Sequence, residues 1–489
     1  MIYKLKELLF QNKTTRQTIA KNVFWLAIGQ FGSRCIRAAI TIYAARVLGA
    51  SEYGVFSYAL AAASFYMVFS DVGMGSILSR EVAKRQKEEK KYFATILGIK
   101  ILLLIFTALL LIVVAPRFAK IEKAASMMPL IALLVIFDSL RDFAFAFFKG
   151  KEKMEREAII TLVLNIAITI FGFIVLYFSP TSLALLWVYI LSSFIGFLMA
   201  AYFLRREFRD AIGHFSKQLI KPIIQAAWPI AVGGLVGMFM FNIDVLMLGW
   251  WRTSAEIGFY SASQKIVGML YIIGGLLVAA ASPALFRIIY ENDKERIRIA
   301  ITKIMIIVLL IALPFVVGGT VLGDEIIKLV FGSNYMEAVP AFRIMIILLL
   351  AIYPFNVLNN IIFAYNKQAK MLGYSVVTTL ANIVLNAILI PLYGIEGAAA
   401  ATLFANSLNV FFLWRLVKKL NNFYVLPGLK KIFIGVSGMA IITVLLKYFE
   451  MPVIGNIIIS GVFYFFLLYL LKEKNFQELL SLVNIKSKI

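Results

Sequence analysis

The chain has 489 residues, 62% of them hydrophobic and 15% charged, with a mean hydropathy of +0.89 and a formal net charge of +23. This balance excludes a soluble domain, and it excludes a nucleic-acid-binding module because the basic residues sit in short clusters between long apolar runs. A single cysteine, Cys35, and a single histidine, His214, exclude an internal disulfide, a Cys- or His-based metal site and a Cys–His pair.

From the N-terminus, residues 1–20 mix leucines with basic residues and show no cleavage-site pattern, which predicts a retained cytoplasmic amphipathic tail. Fourteen apolar runs long enough to cross about 30 Å of hydrocarbon follow. They cover 21–47, 52–79, 92–115, 127–148, 157–178, 183–204, 222–250, 257–281, 299–320, 341–365, 371–390, 395–414, 431–449 and 453–471. The fold class expected is therefore an all-α polytopic membrane protein. Alternate loops carry most of the Lys and Arg, including Arg80–Lys91, Lys149–Arg156, Arg205–Lys221 and Arg415–Lys431. That asymmetry predicts cytoplasmic N- and C-termini.

An internal repeat is legible. Ser51-Glu52-Tyr53-Gly54-Val55-Phe56-Ser57 resembles Ala255-Glu256-Ile257-Gly258-Phe259-Tyr260-Ser261, with Glu, Gly and Ser matching at one offset. Lys153-Met154 and Leu164-Asn165-Ile166 recur as Lys370-Met371 and Ala381-Asn382-Ile383. The matches fall at equivalent places in spans 1–6 and 7–12. Six is even, so the two halves share an orientation. The expected organisation is an N-lobe over 21–206, a cytoplasmic linker over 207–221 and a C-lobe over 222–420. Spans 13 and 14 follow over 421–472, with a cytoplasmic tail over 473–489.

Charges inside the spans are the candidate site. Arg34 and Arg37 lie three apart on span 1 and so share a face, and two cations at membrane depth point to a polar cavity and an anionic substrate. Asp138, Arg141 and Asp142 share one face of span 4. Asp71 lies near the inner end of span 2, flanked by glycines. Asp244 and Lys265 lie near the outer ends of spans 7 and 8 and form a candidate pair. Arg34, Arg37, Arg141 and Lys265 are the expected substrate-binding residues; Asp71, Asp138, Asp142 and Asp244 are the expected ion-coupling or gating residues. Lys100, Lys303 and Arg343 are close enough to helix ends to snorkel. Asn165, Asn242 and Asn382 suit hydrogen bonds between helices.

No catalytic constellation and no phosphate-binding Gly-rich loop followed by Lys-Ser/Thr is present in the sequence. The expectation is a non-enzyme with no catalytic residue, no metal and no cofactor, beyond a coupling proton or sodium ion.

The stretch Arg46-Val47-Leu48-Gly49-Ala50-Ser51-Glu52-Tyr53-Gly54, with Asp71-Val72-Gly73, Arg80-Glu81 and Pro391-Leu392-Tyr393-Gly394-Ile395-Glu396-Gly397-Ala398-Ala399, resembles the O-antigen (Wzx-type) polysaccharide flippases. Those belong to the multidrug/oligosaccharidyl-lipid/polysaccharide exporter superfamily. The resemblance implies two six-helix lobes around a central cavity and alternating access across a prokaryotic cytoplasmic membrane. It implies polyprenyl-pyrophosphate-linked oligosaccharide as substrate, with membrane lipid and polysaccharide assembly proteins as partners and no nucleic acid. It also implies a lipid-tail groove at spans 13 and 14. A lipid II flippase and a multidrug–cation antiporter are the alternatives within the superfamily. A non-transporting scaffold of a synthase complex and a membrane glycosyltransferase stand outside it.

Overall fold

A computed structural model describes residues 15–85, 87–211 and 213–478; the tail expectation for residues 1–14 and 479–489 lies outside these. Among the described residues the chain is helical and without strands. The helices are α1 (Thr15–Asp71), α2 (Met74–Lys84), α3 (Glu89–Phe118), α4 (Glu122–Gly150), α5 (Met154–Phe178), α6 (Ser182–Phe203), α7 (Arg205–Ala211) and α8 (Lys217–Trp251). They continue with α9 (Ser254–Tyr290), α10 (Lys294–Val321), α11 (Gly323–Phe331), α12 (Val339–Ile346), α13 (Leu349–Ala364), α14 (Gln368–Leu420), α15 (Leu426–Tyr448) and α16 (Val453–Leu470).

Eleven of the described helices are long and apolar enough to cross a bilayer. Two of them, α1 and α14, hold a single non-helical residue each: Gly49 at φ 72° and Gly394 at φ 60°. Only glycine takes that backbone without a Cβ clash, so one residue breaks the helix while its neighbours keep helical geometry. The turn expected over residues 46–54 is therefore one residue long. α4 runs for 29 residues and carries Asp138, Arg141 and Asp142.

Two elements depart from the expectation. The second arm of α1 ends at Asp71, and α2 extends to Lys84 into what reads as a basic loop. The break lies at Val72 and Gly73, both with positive φ (44° and 78°). Between α10 and α12, α11 and a 3-10 turn (Ser333–Ala338) occupy a stretch that reads as loop. Asp324 and Glu325 in its first turn and Lys328 in its last complement the helix dipole.

The chain divides into two compact units, residues 1–258 and 259–489. This division by packing falls after α8 rather than in the 207–221 linker, because α8 lies along the second arm of α1. Phe65 and Phe239 meet edge to face at 5.5 Å, Gly249 admits the Tyr58 ring, and Gly73 admits the Ala227 carbonyl. The core of this unit gathers Met74, Ile77 and Leu78 of α2, Phe93 of α3, Phe143 and Phe147 of α4 and Ile223 of α8. Phe93 lies 5.2 Å from both Phe143 and Phe147. Leu102, Ile105, Phe106 and Leu109 on the other face of α3 are exposed, as suits a helix solvated by lipid.

The second unit is fastened by hydroxyls and amides that reach backbone carbonyls on neighbouring helices. Tyr353 donates to the Leu270 carbonyl (2.8 Å), Tyr464 to Leu310 (2.8 Å) and Asn456 to Thr443 (3.1 Å). The α15–α16 hairpin packs closely through Gly435 against Tyr464 and Gly438 against Leu467. Its α15 end is tied to α11, where Lys447 bonds both Asp324 oxygens (2.7 and 2.9 Å) and Arg343 reaches the same carboxylate (3.5 Å). Burial pushes the Asp324 carboxyl up. The hydrogen bonds from Lys447 and from its own backbone, with the charges of Lys447 and Arg343, outweigh that and hold it below its ordinary value.

Candidate functional site

The repeat motif acquires a structural meaning in the first unit. A Cβ on Gly54 would stand 1.7 Å from the Ser254 carbonyl oxygen, and one on Gly258 would stand 2.0 Å from the Ala50 carbonyl oxygen. Ser51 and Ser254 also share a hydrogen bond at 2.8 Å. Residues 50 and 54 thus meet 254 and 258 reciprocally, at the offset read from the sequence. This is the contact pattern of a two-fold relation between equivalent segments.

Arg34 and Arg37 lie on the exposed side of the first arm of α1. α5 packs along the neighbouring face, with Ala158 against Gly29, Leu162 against Gly32 and Ile40 against Gly172. Arg37 donates through Nε to Asn165 Oδ1 at 2.9 Å and lies 5.8 Å from the Tyr189 ring centre. These contacts orient the guanidinium and leave its charge without a carboxylate. Arg34 makes no hydrogen bond or ion pair among the described residues. An exposed, charge-uncompensated pair of guanidiniums one turn apart can take phosphate oxygens bidentately.

The other candidate charges of the first unit are paired apart from these arginines. Arg141 is committed to two carboxylates, with Nη1 to Asp138 Oδ1 at 2.5 Å and Nη2 to Asp142 Oδ1 at 3.0 Å. Its side chain is 14% exposed. A substrate anion would have to displace a carboxylate to reach it. Asp71 accepts Lys100 Nζ at 2.8 Å and the Gly75 amide at 3.3 Å. It therefore both caps the break into α2 and neutralises a buried lysine. Lys100 does not snorkel: its side chain is 1% exposed, because α3 aims it inward at Asp71. Sequence reasoning misses this residue because its distance from the helix end permits either direction. Ser70 and Ser139, both fully buried, bond at 2.7 Å across α1 and α4.

Asp244 is buried on α8, and Lys265 is exposed on α9 in the second unit. The three intramembrane asparagines differ. Asn165 joins α5 to α1, and Asn382 donates to Thr402 (3.4 Å) across the two arms of α14. Asn242 instead bonds Met238 Sδ (3.5 Å) on its own helix. Lys303 pairs with Glu478, and Arg343 donates to the Thr320 carbonyl at 3.0 Å. Among the described residues no group of three or more His, Cys, Asp or Glu is placed to hold a metal ion.

Comparisons with known proteins bear on the family and the fold. A putative O-antigen transporter of Shigella flexneri is 24% identical over 78% of this chain and 93% of its own length. A probable low-salt glycan biosynthesis flippase, Agl15, of Haloferax volcanii is 22% identical over 78% of this chain and 79% of its own length. The fold is similar to that of the lipid II flippase MurJ in an inward closed conformation, with a TM-score of 0.74, 18% identity and coverage of 91% of this chain and 98% of that one. It is also similar to an inward-facing multidrug resistance transporter of the MATE family, with a TM-score of 0.66, 15% identity and coverage of 81% and 98%. The MatE family profile matches residues 229–388. A family described as "Polysaccharide biosynthesis protein" matches residues 19–289, more than half of the sequence, and this multi-pass membrane protein belongs to it.

Proposed function

We propose that the chain is a flippase that moves polyprenyl-pyrophosphate-linked oligosaccharide across a prokaryotic cytoplasmic membrane by alternating access. The observation that carries this reading is the Arg34–Arg37 pair: two exposed guanidiniums at membrane depth, without a carboxylate partner, in a polysaccharide biosynthesis protein. The diphosphate binds the arginines, and the prenyl tail stays in lipid. Family membership and the O-antigen transporter and glycan flippase relatives support the substrate class.

Fourteen spans fit the eleven apolar helices once α1 and α14 are each counted as two and α4 as one. The loop charges support cytoplasmic termini. The reciprocal contact of residues 50–54 with 254–258 supports the internal repeat read from the sequence. The chain does no covalent chemistry and draws on an ion gradient. A lipid II flippase is the second reading, favoured by the MurJ fold likeness over 91% of the chain.

The test is flipping of a fluorescent lipid-linked oligosaccharide in proteoliposomes. Each lost guanidinium–phosphate contact is worth about 2 kcal/mol, so Arg34→Ala/Arg37→Ala is expected to lower flipping by well over tenfold with folding preserved. Unchanged flipping by the double variant overturns the assigned site. Flipping of lipid II but not of other lipid-linked glycans supports the second reading.

A further inference from the structure

The charge balance of the network inside the first unit does not close. Asp138 and Asp142 share one cation, Arg141, while Asp71 takes Lys100 and Glu157 of α5 takes Lys149 at 3.2 Å. Four carboxylates thus face three cations, and the surplus negative charge lies on the α4 face. The charged groups that bear on Asp142 are Arg141 and Asp138 of its own helix, Lys100 of α3 and Glu157 of α5. Glu157 adds an independent observation. Its residue is 8% exposed, and its Oε2 atom is buried with no hydrogen-bond partner. A buried carboxylate oxygen without a donor adds uncompensated negative charge that bears on Asp142, and that surplus is what one added proton removes. The Asp142 side chain is 43% exposed, which gives that proton a way in.

We propose that Asp142, with Glu157, is a one-proton site, and that this proton is the coupling ion of the flippase reading, on which the inference rests. On binding, the proton leaves hydronium on the exposed side and forms an O–H bond to the Asp142 oxygen that Arg141 does not engage. The neutral carboxyl releases its claim on Arg141 to Asp138, and the network becomes electrically even. On release the proton returns to water and the surplus charge reappears.

The test needs no substrate, so it fails or succeeds independently of the flippase reading. Purified full-length protein is titrated from pH 4 to 9 and with sodium chloride at fixed ionic strength, reading tryptophan fluorescence and the infrared carboxyl band. The expected result is a one-proton transition with a protonated-carboxyl band, absent in Asp142→Asn and kept in Asp142→Glu. Glu157→Gln is expected to shift its midpoint by about one pH unit, and it carries the test if Asp142→Asn does not fold. An unaltered transition in both Asp142→Asn and Glu157→Gln overturns the site. A response to sodium alone overturns the proton as its ligand.

Discussion

Lys100 and Asp71 are partners of unequal exposure, 1% against 38% at the side chain, and this asymmetry sets what each substitution does. Asp71→Asn leaves a buried ammonium without a counter-charge, and the expected cost is about 3 kcal/mol or more. Lys100→Met leaves a carboxylate that is already partly exposed and that keeps the Gly75 amide, so its cost is expected to be clearly smaller. The double variant is expected to recover part of the Asp71→Asn loss. Thermal unfolding of the three variants in detergent checks the order; equal losses in both single variants would refute it. The same residues show where the sequence was readable. The face shared by Asp138, Arg141 and Asp142 followed from helical spacing alone. The inward turn of Lys100 did not, because a lysine near a helix end gains either from water or from a buried partner, and only α1's placement decides between them.

At the scale of elements, the most constrained contact is the reciprocal one between residues 50–54 and 254–258. Backbone atoms occupy the space a Cβ would need at Gly54 and Gly258, so Ala at either position must push the segments apart. In a Cys35→Ser background, Ser51→Cys/Ser254→Cys is expected to form a disulfide readily, given the 2.8 Å spacing of the hydroxyls. Adding Gly54→Ala or Gly258→Ala is expected to slow that cross-link severalfold, and an unchanged rate would show that the backbones are not held together in the membrane. The tie between α15 and α11 behaves differently because it depends on charge. Asp324 is held below its ordinary value, so its contribution is complete above the unfolded value, about 3.9, and is lost as pH falls through the folded one. Hydrogen exchange at α11 and the end of α15 is therefore expected to rise below about pH 4. Asp324→Asn should show raised exchange already at neutral pH and a flatter pH response. The repeat and the long apolar helices were legible in sequence because each leaves a regular pattern. α11 was not, since nine amphipathic residues at an interface give too few periods to separate a helix from a loop.

At the scale of the whole molecule, the helical class and the long apolar helices were readable because a bilayer imposes one length and one polarity on every crossing segment. The membership of α8 in the first compact unit was not, since packing partners leave no periodic trace. The Asp71–Lys100 pair also constrains how the chain is made. Asp71 is synthesised 29 residues before Lys100, and Lys100, the buried member, is costly to leave in hydrocarbon without its counter-charge. The nascent end of α1 therefore gains from staying beside the insertion machinery until α3 has emerged, so that the two charges enter the lipid as a neutral pair. Membrane integration of this chain is accordingly a matter of groups of helices, with the ribosome's progress to Lys100 setting when the first group is released.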